Sequence, residues 1–202
     1  PIDGLVIGEN KNGKRTFFGD NWPNRAHNWF VCNDHLSDKA SVEFIVHAPQ
    51  QYTVVANGAL ISVQKRRKVK TFHYFSMVPI PTKVRVVGLA EFDLEVSGAV
   101  EGILVQSFTY PENKKEAGKD LSLAPAILDF YISYIAPYEF EKLDNVQSTT
   151  RFGGMENAGC IFYDEDALNG TQNSENLIAH EIAHQWFGNS ASEKDWQHLW
   201  LS

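Results

Sequence analysis

Apolar residues alternate with polar ones over most of the first hundred positions, and then the rhythm changes. In Ala40–His47 (ASVEFIVH), Val42, Phe44 and Val46 fall on one face, which is the period of a half-buried strand. Tyr52–Val55, Ala59–Val63, Val69–Phe75, Val84–Leu89, Phe92–Val96 and Gly102–Ser107 are predicted strands too, with Gly, Pro and Asn between them. Asn57-Gly58 predicts a hairpin turn between two of these strands. After about residue 108 the period lengthens. Leu121, Ala124, Leu128, Ile132 and Ile135 recur at helical spacing, with Pro125 in the first turn and Pro137 past the end. Val146–Thr150 and Ile161–Tyr163 read as short strands. A helix capped by Ser174 would bury Leu177, Ile178 and Ile182 and stop near Gly188-Asn189. A last helix is expected from Ser192-Glu193 through Trp196, Leu199 and Trp200. The predicted class is α+β: antiparallel sheet over residues 1–107, then a mixed part over 108–202.

Composition narrows the class of partner. Of 202 residues, 43% are hydrophobic and 12% aromatic, enough for a buried core and too many for a disordered chain. A net charge of −7 argues against nucleic acid or an anionic membrane as the main partner. The one basic run, Lys65-Arg66-Arg67-Lys68-Val69-Lys70, lies between two strand segments and is expected to be a solvated hairpin tip. The chain holds no stretch of the length and apolarity that spans a bilayer. It begins Pro1-Ile2-Asp3 without Met, so localisation is left open. Cys32 and Cys160 form no C-x-x-C pair; both read as small apolar residues, with a single disulfide left open.

Candidate chemistry concentrates at His180-Glu181-Ile182-Ala183-His184. Residues four apart share a helix face, so both imidazoles can reach one metal ion, with Glu181 beside them to move a proton. The flanking Leu177, Ile178, Trp186 and Phe187 half-bury this helix. Polar groups on its inner side then need a partner, and one zinc ion is the expected one. Zinc polarises a carbonyl and lowers the pKa of a water, so the reaction class is metal-assisted amide hydrolysis. The spacing H-E-x-x-H-x-x-G-x-x-H is not met, because Phe187 and Ser190 stand at its Gly and third His. Glu193 lies too close to be a ligand from a following helix, and His198 sits within an apolar helix face.

A second constellation lies upstream, Phe152-Gly153-Gly154-Met155-Glu156-Asn157. Two glycines let a backbone approach a substrate closely, and Glu156 could pair with a cation. Alone it would be an ordinary glycine turn. Paired with H-E-x-x-H, G-G-M-E-N resembles the M1 family of zinc aminopeptidases, the gluzincins that include aminopeptidase N and leukotriene A4 hydrolase. Trp29–Asp34, Asn57-Gly58, Val78–Pro81 and Lys142–Asp144 fall in the family's order, and Phe17–Arg25 leans toward its leukotriene A4 hydrolase-like bacterial branch.

The resemblance implies roles for particular residues. His180 and His184 match two zinc ligands, and Glu181 matches the general base. Glu156 matches the carboxylate that grips a substrate's free α-ammonium. Gly153, Gly154, Met155 and Asn157 complete the substrate-binding stretch. The implied fold is the later strands of an antiparallel N-terminal β-domain (1–107), followed by the first part of a thermolysin-like catalytic domain (108–202). The implied partners are peptides with a free N-terminus. The family's third ligand, a Glu, would fall at the position after Ser202, so the chain is expected to be a fragment that binds zinc weakly or not at all and has little activity. An epoxide hydrolase of the leukotriene A4 type and a non-catalytic peptide-binding module remain as alternatives.

Overall fold

A computed structural model describes residues 3–202. The strands of the first half are β1 (Leu5–Glu9), β2 (Arg15–Gly19), β3 (Ala40–Pro49), β4 (Thr53–Ala56), β5 (Ala59–Arg66), β6 (Val69–Ile80), β7 (Val87–Ala90), β8 (Asp93–Val100) and β9 (Ile103–Thr109). Then come α1 (Lys114–Leu121), α2 (Ala124–Tyr134), β10 (Lys142–Ser148), β11 (Gly154–Met155), β12 (Cys160–Asp164) and α3 (Glu175–Ala183). The last regular segment is a 3-10 turn, Trp196–Leu201. Two sheets, β1-β2-β7-β4 and β3-β6-β5, are antiparallel. The third, β11-β12-β10-β9-β8, is mixed: β10 runs parallel to both β9 and β12, and the two outer pairs are antiparallel. Parallel neighbours need a long crossover, and α1 and α2 supply it between β9 and β10. The class is α+β, as the periodicity predicts. The mixed sheet draws strands from both sides of residue 107.

Several local expectations are corrected. Asn57-Gly58 is not a hairpin turn: β4 pairs with β7 in one sheet, whereas β5 pairs with β6 in another. Gly58 is needed there for two reasons. Its φ is +81°, and a Cβ would overlap the Phe75 backbone. Asn57 is buried, and its amide donates to Val84 O (2.9 Å) and Ala158 O (2.8 Å) while its carbonyl accepts from Val86 N (2.6 Å). Truncating it would strand two buried backbone groups, Ala158 O and Val86 N, at roughly 1–3 kcal/mol each, while Val84 O keeps its bond from Ala158 N. Val84 belongs to a 3-10 turn, Thr82–Val84, and the strand begins only at Val87. The helix expected over Leu121–Ile135 is α2, Ala124–Tyr134, and Leu121 instead ends a separate helix, α1, that the pattern did not reveal. Pro125 occupies the first turn of α2, where its missing N–H costs nothing, and the chain breaks just before it. β1 and β2 escaped notice because each is five residues long and carries a glycine. The basic run is a β5–β6 tip, as expected, with Arg66 paired to Val69.

The largest core cluster lies between the mixed sheet and the helices, and includes Leu121, Leu128, Leu143, Ile161, Ile178 and Ile182. Burying each such side chain stabilises by about 1.5–3 kcal/mol. Ile178 and Ile182, one helical turn apart and both fully buried, fix the rotation of α3 on the sheet. That rotation turns Glu181 inward and leaves His180 and His184 at the cleft. Both cysteines are free, and no described helix is long and apolar enough to cross a membrane.

Candidate metal centre

α3 is shorter than its pattern suggests. It ends at Ala183 with His184 as the cap, and the chain turns through Phe187 to Gly188, whose φ is +104°. Ser174 stands at the N-cap position, but its hydroxyl bonds to Ala167 O instead of a helix N–H. The two imidazoles meet, with Nε2 of His180 and Nε2 of His184 3.1 Å apart and the ring planes at 87°. His184 Nδ1 is 3.0 Å from Phe187 O. A carbonyl only accepts, so Nδ1 carries the proton and the Nε2 lone pair of the neutral ring faces His180. Burial, and then the neighbouring His184, hold the His180 pKa below its ordinary value. Both effects favour the neutral ring that a metal requires.

Glu181 is only 4% exposed, and its Oε2 has no hydrogen-bond partner. Burial, followed by the nearby Glu156 carboxylate, pushes its carboxyl up to about 8. Glu156, Glu181 and His184 each place a donor atom within 4.8 Å of the others. The site therefore gathers imidazole nitrogens and carboxylate oxygens around a point where positive charge is wanted. This donor set fits zinc.

Glu156 follows β11, the edge strand of the mixed sheet, which pairs with β12 on one side only. Two side chains tie this strand to α3. Asn189 Nδ2 donates to Glu156 O (2.6 Å). Gln185 Nε2 donates to Glu156 O (3.2 Å) and Glu181 O (3.3 Å), while its Oε1 accepts from Gly159 N (2.9 Å). The two motifs are thus bonded to each other through buried amides. Gly154 makes the approach possible: a Cβ there would overlap the Glu181 carboxyl and stand 2.6 Å from its Cγ.

A cleft of about 350 Å³ is lined by Gly154, Met155, Glu156, His180, Glu181 and His184. Of the residues predicted for the site, Gly153 lies just outside this lining. Asn157 is fully buried behind it, with its backbone closing the turn to Met155 O (2.9 Å) and Cys160 N (3.0 Å). Trp22, Phe152 and Trp200 complete the walls, together with Leu199 and Ser202. No sequence pattern nominated Trp22, which reaches the cleft from a loop about 130 positions before Phe152.

Residues 120–202 match the family described as the peptidase family M1 domain. Aminopeptidase M1-B of Oryza sativa subsp. japonica is 30% identical over 188 residues, covering 88% of this chain and 22% of that protein. The probable aminopeptidase 1 of Saccharolobus solfataricus is 29% identical over 188 residues, covering 88% and 24%. Glutamyl aminopeptidase of Homo sapiens is 28% identical over 222 aligned residues, covering 100% and 23%. The chain belongs to peptidase family M1 and spans less than a quarter of the length of these curated relatives.

Proposed function

We propose that the full-length protein is a zinc aminopeptidase that releases N-terminal residues from peptides. The observation that carries this reading is the convergence of Glu156 with His180, Glu181 and His184 in one cleft. His180 and His184 would hold the ion through Nε2. Zinc there supplies Lewis acidity, polarising a scissile carbonyl and lowering the pKa of a water to about 7. Glu181, buried with a free Oε2, takes a proton from the attacking water on that oxygen and returns it to the leaving amine. Gly153, Gly154 and Met155 offer the edge of β11 to a peptide laid alongside it as an added strand. Asn157 supports their turn from within. Glu156 pairs with the substrate's α-ammonium. A fixed anion at that distance leaves room for one residue ahead of the scissile bond, so a longer extension loses the ion pair. In this reading residues 1–107 belong to an N-terminal β-domain and 108–202 to the catalytic domain, apart from β8 and β9, which pair into the sheet of the second part.

The aminopeptidase names of the relatives support this reading. Its test is Glu156→Gln in the full-length protein. A charge-assisted hydrogen bond is worth about 1.5–3 kcal/mol, so kcat/KM for an unblocked aminoacyl anilide should fall roughly 10- to 150-fold. The wild type should leave the N-acetylated substrate intact. Equal cleavage of blocked and free substrates would refute the role of Glu156.

A further inference from the structure

Behind the cleft wall lies a charge pair that the proposed chemistry does not use. Lys83 is completely buried, and its Nζ donates to both oxygens of Glu193 (3.0 and 2.9 Å) and to Ser202 Oγ (2.8 Å). Ser202 in turn bonds to Glu193, so all three protons of the ammonium are placed. The Trp22 ring covers the ammonium, with its centroid 5.3 Å from Nζ. Asn21, next in the chain, donates to Thr82 O (2.8 Å) and Arg85 O (2.6 Å), which registers Trp22 against the turn that carries Lys83.

The cluster abuts His184. From the point where a Cβ on Gly188 would stand, Ser202 Oγ is 3.3 Å away, and His184 Nδ1 and Lys83 Nζ are each 3.6 Å away. A Cβ would fit there in near-ordinary contact with all three groups, and it is the φ of +104° that calls for glycine at this turn. Trp22 and Ser202, the groups Lys83 holds, both line the cleft beside His180 and His184.

Stability does not explain this choice of residues. Replacing a buried ion pair by apolar side chains of similar volume is often neutral or stabilising, whereas removing one partner costs about 3–5 kcal/mol. What the pair adds is direction. Its bonds fix one position for Ser202, one for Trp22 and one for the Trp196–Leu201 turn.

We propose that Lys83, paired with Glu193, is a positioning residue for the metal centre, holding Ser202 and Trp22 at the spacing from His184 that a bound ion and its substrate require. This rests on the zinc reading given above. The cluster braces the segment whose Leu199, Trp200 and Ser202 line the cleft beside His180 and His184. Losing its direction should therefore disturb the metal's surroundings even where the fold survives.

The test uses the full-length protein loaded with cobalt(II), whose visible bands report ligand geometry. The charge-free double variant Lys83→Met/Glu193→Leu is expected to melt close to the wild type. Its cobalt bands should shift and its kcat should fall roughly tenfold or more, with KM changing much less. Ser202→Ala, which leaves the Lys83–Glu193 pair itself in place, should shift the bands in the same direction. Lys83→Arg, which keeps the charge, should recover part of the loss. Wild-type bands and kcat in both Ser202→Ala and the double variant would overturn the proposal and leave a purely structural ion pair. If the double variant fails to fold, Ser202→Ala decides alone. Wild-type protein that takes up no cobalt would overturn the zinc reading itself, and this proposal with it.

Discussion

Glu181→Gln should lower kcat of the full-length protein by about 10²–10⁴-fold, the usual contribution of a positioned acid–base group, with zinc still bound. Glutamine keeps the volume and cannot accept the proton. The same change should stabilise the protein at neutral pH when the metal has been chelated. The folded-state pKa of Glu181 is raised from 4.5 to about 8, mainly by burial and then by Glu156. The folded state thus prefers the protonated carboxyl. That preference is fully present below pH 4.5 and is lost as the pH rises to about 8, because deprotonation is easier in the unfolded chain. Chelated wild type should therefore lose stability relative to the glutamine variant across this window, by a few kcal/mol in order of magnitude. Thermal melts of both proteins in chelator at pH 4.5 and pH 8 measure it. A difference that does not grow with pH would show that Glu181 is not held in the environment described. With a cation bound the carboxylate is compensated, so the gain should shrink on adding zinc.

Gly154→Ala is the second large effect. The added methyl would occupy the space of the Glu181 carboxyl, which cannot swing freely because the residue is buried between α3 and β11. Either the carboxyl or the edge strand must move. A displacement near 1 Å in a catalytic group costs about 10²-fold, so kcat should fall by that order. Because His180 and His184 are carried by α3 and its C-cap and not by the edge strand, zinc content should change little. Steady-state kinetics with metal analysis on the same sample separate the two. Unchanged kcat in the alanine variant would mean that Gly154 has a different reason to be glycine.

Legibility in the sequence followed the range of the interactions. The phase of α3 was readable because Leu177, Ile178 and Ile182 repeat at its own period, and the core confirms Ile178 and Ile182 as fully buried. Pro125 was placed correctly in a first turn, since that rule is local. Asn57-Gly58 misled because a dipeptide records the required backbone shape and not the sheet to which each strand belongs. The end of α3 and the 3-10 turn at Trp196–Leu201 were read as longer helix because apolar spacing does not distinguish three residues per turn from 3.6 over six positions. Within the site, the histidines and carboxylates were legible from motif spacing. Gln185 and Asn189 follow the motif within five residues, yet the sequence assigned them no part in the site, because their partner, the Glu156 carbonyl, is set by tertiary contact. Trp22 meets Phe152 and the motif residues in the cleft, and Lys83 meets Glu193, each across more than a hundred positions, and no local pattern marks such a meeting.

The central claim is that His180 and His184 share one zinc ion beside Glu181 and Glu156. Anomalous diffraction from the full-length protein, collected at the zinc absorption edge, tests it most directly. The account predicts a single strong peak about 2.0–2.1 Å from Nε2 of both His180 and His184, lost in His184→Ala. A map with no peak between these nitrogens in zinc-replete protein, or with its only peak elsewhere while hydrolysis persists, would contradict it.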